Sequence, residues 1–312
     1  MMADLLCMGE PLAEFNALPV DAEGRTLFLA GHGGDTSNVA IAAARQGAKS
    51  GFLGAVGLDA PGDSLMALWQ REQVATDTVW RDPAAPTGVY FVTHDAAGHH
   101  FLHYRKGSAA SRFGAEAVAE RGAAIRAARM LFASGISLGI SEVAADGVLA
   151  AFALAREAGV KIGFDTNYRP KLWPPARAAA MMHAAMASAD YVFPGLEDAA
   201  TLTGLTDPDA IVDFYLRLGP AVVVLKMGAE GAILADAAGR IRIPSYRVAA
   251  VDATGAGDTF CGAFLARILA GDAPAEAARY AVIAAALKCH AHGAVAPIPR
   301  AAEVQAVLAA QS

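Results

Sequence analysis

Short apolar runs alternate with longer amphipathic stretches along most of this 312-residue sequence, and no other feature restricts the possible folds as strongly. The apolar runs predict buried strands at residues 5–8, 51–56, 130–134, 160–164, 191–193 and 221–225. The stretches between them predict helices at residues 37–46, 63–73, 142–157, 175–187 and 209–218. Strands that alternate with helices form parallel sheets, so we expect an α/β fold with helices on both faces of a mostly parallel sheet. We expect residues 1–312 to form a single domain of this kind.

One region breaks the alternation and is rich in β-formers. The segments GVYFVTHD (88–95) and HHFLHYR (99–105) are separated by Ala-Ala-Gly and predict a hairpin. A second β-like piece covers residues 10–15 and 25–29. We expect the segments at about 10–30 and 88–106 to form a small β-stranded lid over a site, the alternative being an edge extension used only for oligomerisation. Because an exposed β edge usually needs covering, we also expect a homodimer or a higher homo-oligomer.

Charge and cysteine content restrict the partners and the compartment. The net charge is -6, from 25 basic and 31 acidic residues, which argues against a nucleic-acid or anionic membrane surface. Three widely separated cysteines, Cys7, Cys261 and Cys289, indicate no disulfide framework. The N-terminus lacks the basic start of a secretion signal, and charged residues interrupt every apolar stretch before it could span a membrane. We therefore expect a cytoplasmic protein with no nucleic-acid or membrane partner.

The stretch VDATGAGDTF (251–260) places Gly255, Ala256 and Gly257 directly before Asp258, and apolar residues follow at helical spacing. The first N–H groups of a helix have no partner within it, and small residues let an anion reach them. The turn is thus suited to hold a phosphate, and Asp258 beside it could accept a proton from an attacking hydroxyl. We expect nearby N–H groups to keep Asp258 ionised at pH 7. The alternative is a capped helix start that serves packing alone.

A second glycine cluster, AGHGGDTSN (30–38), also precedes a predicted helix. Gly33 and Gly34 would let the backbone approach a ligand closely. Asp35 and Asn38 offer hydrogen bonds to hydroxyl groups. Two such clusters near opposite ends of one chain form a much more specific pattern than either cluster alone.

Three segments resemble the signatures of the ribokinase-like (phosphofructokinase-B) sugar kinases: GGDTSNVAIAAARQG (33–47), GAVGLDAPGD (54–63) and DATGAGDTFCGAF (252–264). The strand order and the β-stranded lid also fit this family, so the resemblance covers nearly the whole chain. It implies a ribokinase-like three-layer sandwich and ATP-dependent phosphorylation of a sugar hydroxyl. It further implies that Asp258 is the catalytic base and that Gly255, Ala256 and Gly257 bind the transferring phosphoryl group.

The resemblance also extends to the nucleotide and the metal. KMGAEG (226–231) is similar to the nucleotide loop of the family and implies nucleotide-binding roles for Lys226, Gly228 and Gly231, the alternative being an ordinary strand-to-turn glycine pair. Asn167 is placed on the nucleotide side by the same resemblance. Mg²⁺ is expected with ATP, but its protein ligands stay unknown, because residues 195–198 (GLED) have lost the Asn-x-x-Glu element of the family. Ala253 replaces the usual Ser or Thr, which leaves open whether a monovalent cation binds nearby.

Within the family, GEPLAEF (9–15), HYRKGSAAS (103–111) and FDTNYRPKLWP (164–174) resemble 2-keto-3-deoxygluconate kinases. This likeness implies a substrate, 2-dehydro-3-deoxy-D-gluconate, phosphorylated on its terminal hydroxyl and held by Gly34, Tyr90, Tyr104, Arg105 and Arg169. The two arginines are suited to bind the carboxylate of a sugar acid.

Three alternatives remain open at this stage. Arg105 could form a structural pair while Arg169 binds only phosphate. The chain could be a fructokinase or another neutral-sugar or nucleoside kinase of the same family. It could also be a sugar- or nucleotide-binding regulator without catalytic activity.

Overall fold

The computed structural model describes residues 3–95 and 98–311, and its strands form two sheets. In chain order the strands are β1 (Leu5–Gly9), β2 (Leu12–Leu18), β3 (Leu27–Gly33), β4 (Ser50–Gly57), β5 (Val79–Asp82), β6 (Val89–Asp95), β7 (Gly98–Tyr104), β8 (Met130–Ser134), β9 (Lys161–Asp165), β10 (Tyr191–Phe193), β11 (Val222–Lys226), β12 (Ala232–Asp236) and β13 (Gly239–Ile243). The helices are α1 (Asp35–Arg45), α2 (Ala60–Arg71), α3 (Ala115–Glu120), α4 (Gly122–Ala127), α5 (Gly135–Gly139), α6 (Glu142–Glu157), α7 (Pro175–Met186), α8 (Leu196–Thr203), α9 (Pro208–Leu218), α10 (Ala256–Ala270), α11 (Pro274–Lys288) and α12 (Ala301–Gln311).

The larger sheet has nine strands in the order β13-β12-β11-β10-β9-β8-β1-β4-β5, and all neighbouring pairs are parallel except those made by β12. Helices cover both of its faces. Alternate residues of a strand point to opposite faces, so Leu6 and Met8 join the core on one side while Leu5 and Cys7 join the core on the other. This arrangement confirms the predicted α/β sandwich with a mostly parallel central sheet, and burial on both faces explains why its inner strands are continuous apolar runs.

The smaller sheet has four strands in the order β3-β2-β6-β7 and is the predicted lid. Its two hairpins, β2–β3 and β6–β7, are antiparallel, and a parallel pairing of β2 with β6 joins them. The two β-like segments of the sequence therefore build one sheet. Many of its large apolar side chains are exposed, namely Leu18, Leu27, Phe28, Leu29, Phe101, Leu102 and Tyr104.

The predicted strands and helices all form, with ends that differ by a few residues, but the sequence patterns missed the edge strands β5 and β13 and the strand β12 beside β13. The sequence of β13, GRIRI, alternates charged and apolar residues because only one of its faces is buried. Its hairpin with β12 turns through Ala237 and Ala238, where Asp236 Oδ1 accepts a hydrogen bond from Ala238 N at 2.8 Å. This Asx turn lacks the paired Gly or Asn signal that marks tight hairpins. Among the described helices, none has both the length and the apolar character needed to cross a bilayer.

Candidate active site

A cavity of about 820 Å³ lies between the carboxyl ends of the central strands and the lid. The carboxyl ends of β9 and β11 bring Asp165 and Lys226 to it, and the start of α10 brings Asp258. Most of the predicted site residues line it: Gly34, Asp35, Asn38, Tyr90, Arg105, Asn167, Arg169, Lys226, Gly255, Gly257 and Asp258. The fold thus brings the two glycine clusters, more than two hundred residues apart in sequence, to one cavity.

Close packing of α1 against α10 joins the two clusters. A Cβ atom added to Gly262 would lie 2.6 Å from the Cβ of Ala42, so only glycine allows the two helices to approach this closely. At this distance Asn38, in the first turns of α1, donates a hydrogen bond from Nδ2 to Asp258 Oδ2 at 2.8 Å. Gly255 caps α10 with φ of 78°, a left-handed conformation that favours glycine.

Asp258 has an unusual acidity for a carboxylic acid. Burial, and next the charge of Asp35, raise the pKa of Asp258 to about 7, although the Asn38 hydrogen bond and the Lys226 ammonium oppose this shift. A pKa of about 7 leaves Asp258 only partly ionised at pH 7, so our expectation of an ionised carboxylate is met only in part, because desolvation and a second carboxylate raise the pKa. A pKa near neutral pH is well suited to a general base.

Asp35 is held in place by groups at the end of β8 and just beyond the end of the neighbouring strand β9. Its Oδ2 accepts hydrogen bonds from Ser134 Oγ at 2.5 Å and from Asn167 Nδ2 at 2.9 Å. Within the described part of the chain, Asp35 Oδ1 and Asn38 Oδ1 are buried and have no hydrogen-bond partner. Buried polar atoms are almost always paired, so these two oxygens indicate that a ligand donates to them. Hydroxyl groups are donors of the required kind.

Lys226 forms a buried ion pair with Asp165, whose Oδ2 lies 2.5 Å from its Nζ. Burial lowers the pKa of Lys226, but the Asp165 charge more than offsets this, so the net shift is upward and the ammonium keeps its charge. A Cβ atom added to Gly257 would lie 3.3 Å from this Nζ, which places the ammonium beside the glycine turn. The site therefore has a fixed positive charge next to the N-terminus of α10, where an anion would bind.

Gly228 and Gly231 do not line the cavity in the described structure. Gly228 begins the short 3₁₀ turn Gly228–Glu230 and Gly231 follows it, and both have positive φ, 57° and 93°. A Cβ atom added to Gly231 would lie 2.7 Å from Ser245 N, so close backbone packing already accounts for this glycine. The nucleotide-binding roles of the two glycines stay predictions.

The lid contributes Tyr90 and His103, which pair across β6 and β7 and stack with ring centroids 5.4 Å apart. Tyr90 donates a hydrogen bond to Glu14 on the neighbouring strand β2. Tyr104, the predicted substrate ligand, does not line the cavity, because it points to the opposite face of β7 and packs against Phe91. Strand alternation gives the inward position to His103, which the sequence analysis did not select.

Arg105 forms an ion pair with Glu10, whose carboxylate is completely buried at 0% side-chain exposure. Ser108 Oγ donates to the other oxygen of Glu10 at 2.8 Å. Arg105 therefore forms the structural ion pair that the sequence analysis left open as an alternative to substrate binding. It nevertheless lines the cavity. Its buried Nε has no hydrogen-bond partner among the described residues, so one donor remains available to a ligand. The sequence analysis named GEPLAEF without identifying Glu10 as the partner of Arg105.

The charged residues that line the cavity form two groups. Arg105, Lys106, Arg169 and Lys171 form a cationic group, which we call the cationic end. Partial burial, and next the charges of Arg105, Lys171 and Arg169, lower the pKa of His103 to about 4, so His103 is neutral at pH 7. The second group, joined by hydrogen bonds and charge interactions, is Asp35, Asn38, Asp165, Lys226, Asp258 and the glycines Gly255 and Gly257, and we call it the floor.

The magnesium-associated segment 195–198 offers one partly buried carboxylate, that of Asp198. Its Oδ2 accepts hydrogen bonds from Tyr168 N at 2.9 Å and Thr166 Oγ1 at 3.1 Å. Across the residues that the structure describes, no group of three or more His, Cys, Asp or Glu side chains could hold a metal ion. The residues thus fit a metal carried in by a phosphate ligand better than a metal bound by the chain alone.

Comparisons with known proteins agree with this geometry. A family model described as pfkB family carbohydrate kinase matches residues 2–301. The 2-dehydro-3-deoxygluconokinase of Thermoproteus tenax is 34% identical over 310 residues, which are 97% of this chain and 94% of that protein. A probable fructokinase-5 of Arabidopsis thaliana is 30% identical and covers 99% of this chain and 98% of its own length. A crystal structure of fructokinase with bound ATP from Xylella fastidiosa superposes with a TM-score of 0.89, at 27% identity, over 100% of this chain and 99% of that one.

Proposed function

The chain belongs to the pfkB family of carbohydrate kinases, as a phosphotransferase acting on a sugar hydroxyl, and we propose that it phosphorylates 2-dehydro-3-deoxy-D-gluconate with ATP. Relatives with this activity name and relatives named fructokinase both match nearly the whole chain. The choice between a sugar acid and a neutral sugar therefore depends on the residues of the cavity.

The observation that carries the proposal is that a group of four cationic side chains lines the same cavity as the floor. A sugar acid has a carboxylate at one end and a primary hydroxyl at the other. The cationic end would bind the carboxylate through charge-assisted hydrogen bonds from Arg105 and Arg169. The terminal hydroxyl would then lie at the floor near Asp258. Arg105 already pairs with Glu10, but a neutral sugar would offer no anionic group to the other cationic side chains of this end, and this favours the acid.

The floor provides what phosphoryl transfer requires of a protein, namely positioning, a base and stabilisation of charge. The unpaired oxygens Asp35 Oδ1 and Asn38 Oδ1 would accept hydrogen bonds from substrate hydroxyls. Asp258 would take the proton of the attacking hydroxyl, and the N–H groups of residues 255–257 with Lys226 would stabilise the charge on the transferring phosphoryl group. ATP enters as the second substrate, and the lid would exclude water from the reacting groups.

Mg²⁺ supplies charge neutralisation to the phosphates of ATP when it is bound. We propose that the phosphates and water hold it, with Glu197 or Asp198 acting through water. Burial raises the pKa of Asp198, and its hydrogen bond from Tyr168 N opposes this shift. A carboxylate tied to the main chain in this way can orient a water molecule without changing its own rotamer.

The lid also supports a homodimer. Leu29 is 61% exposed, and Leu18 and Leu27 are each 43% exposed near it. Contiguous exposed apolar residues on a sheet with open edges mark an interaction surface, and a second copy of the chain would cover both the residues and the edges.

The test of the substrate is ADP release with ATP and Mg²⁺ on 2-dehydro-3-deoxy-D-gluconate, fructose, ribose and a blank without sugar. Strong turnover on the acid alone is expected. Preference for fructose would keep the reaction and overturn the carboxylate role of the cationic end. No turnover on any sugar, together with thermal shifts on adding sugar or nucleotide, would favour a binding protein without catalytic activity.

Testing the two arginines requires variants that do not leave the buried Glu10 carboxylate without a charge partner. Arg105→Leu alone would leave Glu10 buried and unpaired, which typically destabilises a protein by roughly 3–5 kcal/mol. We would compare Arg169→Leu, the double variant Arg105→Leu/Glu10→Gln, and Glu10→Gln as its matched control. Loss of a hydrogen bond to a charged group should raise KM for the acid by roughly 10- to 100-fold and change fructose turnover little. Equal losses on both sugars would contradict the proposed role.

A further inference from the structure

Lys288, the last residue of α11, is completely buried at 0% exposure and is used by none of the steps above. Its Nζ donates a hydrogen bond to the main-chain oxygen of Asp252 at 2.7 Å. Burying an ammonium is unfavourable unless it is compensated. Burial lowers the pKa of Lys288, and the charge of Asp252 opposes this shift. If Lys288 only filled space, an apolar residue of similar size could take its place without loss of stability, because it would avoid the cost of burying a charge.

Asp252 stands directly behind the glycine turn and organises it. Its Oδ1 accepts from Thr254 N at 2.8 Å, and its Oδ2 accepts from Gly293 N at 2.9 Å. The carboxylate thereby fixes the entry to the turn and ties it to the loop after α11. A Cβ atom added to Gly255 would lie 3.0 Å from Ala294 O, so the turn also packs directly against that loop. Any shift of this assembly would move the N–H groups of residues 255–257.

The negative charge of the Asp252 carboxylate is unfavourable near an anion-binding turn, and the Lys288 ammonium can compensate for it. A negative charge directly behind an anion-binding turn repels the phosphoryl group that the turn must hold. Lys288 interacts electrostatically with both Asp252 and Asp258, so its ammonium offsets negative charge at the base of the turn. The ammonium also lies at the C-terminal end of α11, where the helix dipole favours a cation.

We propose that Lys288 is a positioning residue whose ammonium serves as a built-in monovalent cation for the anion-binding turn. It holds the main chain of Asp252 and neutralises the adjacent carboxylate, so this chain needs no added monovalent cation at that place. The inference rests on the proposed binding of the transferring phosphoryl group at residues 255–257. It answers, for this chain, the question of a monovalent cation that Ala253 left open.

The first experiment needs no variant. Turnover of the wild-type protein, on whichever sugar it phosphorylates fastest, is measured in potassium, sodium and tetramethylammonium chloride at equal ionic strength. ATP affinity is measured by calorimetry in the same three salts. We expect both to be the same in all three salts within about twofold. A requirement for potassium in either measurement would overturn the proposal.

The second experiment removes the ammonium. Lys288→Met keeps the length of the side chain without its charge, and Lys288→Ala leaves space for a small cation. Lys161→Met is the matched control, because it removes an exposed lysine, 58% accessible, that pairs with Asp190 at the surface. We expect kcat of Lys288→Met to fall by roughly 10- to 100-fold, less than the 10²–10³ typical of a donor in direct contact with the reacting group. The control should keep wild-type turnover.

Rescue distinguishes a positioning cation from a merely structural lysine. Ammonium or potassium ions, but not tetramethylammonium, should restore part of the kcat and of the ATP affinity of Lys288→Ala. The proposal would be overturned if the kcat and the ATP affinity of Lys288→Ala both fall in proportion to its Tm and neither ion restores them. Because the measurements use the preferred sugar and ATP affinity, a preference for fructose would refute the proposed substrate and leave this test intact.

Discussion

The floor and the lid of the cavity are built in different ways. The floor residues come from elements of the central sandwich, and their polar groups are largely fixed by one another, as in the Asn38–Asp258 and Lys226–Asp165 contacts. The lid is a separate four-stranded sheet with exposed apolar side chains and a small core of its own, Leu12, Tyr90 and Val92.

This difference separates two tasks. Chemistry requires groups held within a fraction of an ångström, and packed helices and strands provide that precision. Specificity can be carried by peripheral segments that change without disturbing the core, and Tyr90, His103 and Arg105 belong to such a segment. We therefore expect floor variants to affect all sugars alike, whereas variants at the cationic end should affect the choice of sugar.

The largest effect is expected for Asp258→Asn. Without a general base, kcat should fall by roughly 10²–10⁴-fold on every sugar that the wild type accepts. ADP release under saturating ATP measures this loss, and Arg169→Leu serves as the comparison from the cationic end. A decrease of less than tenfold, or one confined to the acid, would break the assignment of the chemistry to the floor.

The pH dependence of turnover should also report on the floor alone. Since the pKa of Asp258 is about 7, kcat/KM of the wild type should rise with pH and level off above that value. Lys226 lowers this pKa, so Lys226→Met should move the midpoint to higher pH. The lid variant Leu29→Ser should keep the wild-type midpoint. A profile that is flat between pH 5 and 9 would show that Asp258 does not govern the rate.

A smaller effect is expected on stability. The pKa of Asp258 is higher in the folded state than the roughly 3.9 of an exposed aspartate, so folding loses stability as pH rises from about 4 through 7. Asp258→Asn removes this loss and should raise Tm by at least about 2 °C at pH 8, with no gain below pH 4. Thermal unfolding of both proteins across this range measures the difference. An Asn variant that is less stable at pH 8 would contradict the expected strain at the floor.

The smallest effect on catalysis is expected in the exposed part of the lid. Leu29→Ser should weaken association of the chain with itself and change kcat on a saturating sugar by no more than about twofold, because surface substitutions seldom disturb a distant site. Light scattering across a range of concentrations measures the association, with Val143→Ser, another exposed apolar position, as the control. A monomeric wild type would refute the dimer, and loss of association in the control would refute its placement on the lid.

The sandwich, the lid and the two glycine clusters could all be predicted from the sequence. These features follow from local properties, namely apolar periodicity, helix starts and the conformational freedom of residues such as Gly255. The common location of the site residues at strand ends could also be predicted, because parallel strands end at the same edge of a sheet. Most of the predicted site residues accordingly line one cavity.

The properties that depend on contacts through space follow from the packed fold and could not be predicted from local sequence patterns. The pKa of Asp258 follows from burial and from Asp35, which no local pattern reports. The pairing of Glu10 with Arg105 and the burial of Lys288 behind Asp252 likewise join residues far apart in the chain. The inward position of His103, instead of Tyr104, follows from the pairing of β6 with β7 and from which face of the lid meets the core. Desolvation and charge act over distance in space, so the packed fold alone sets them.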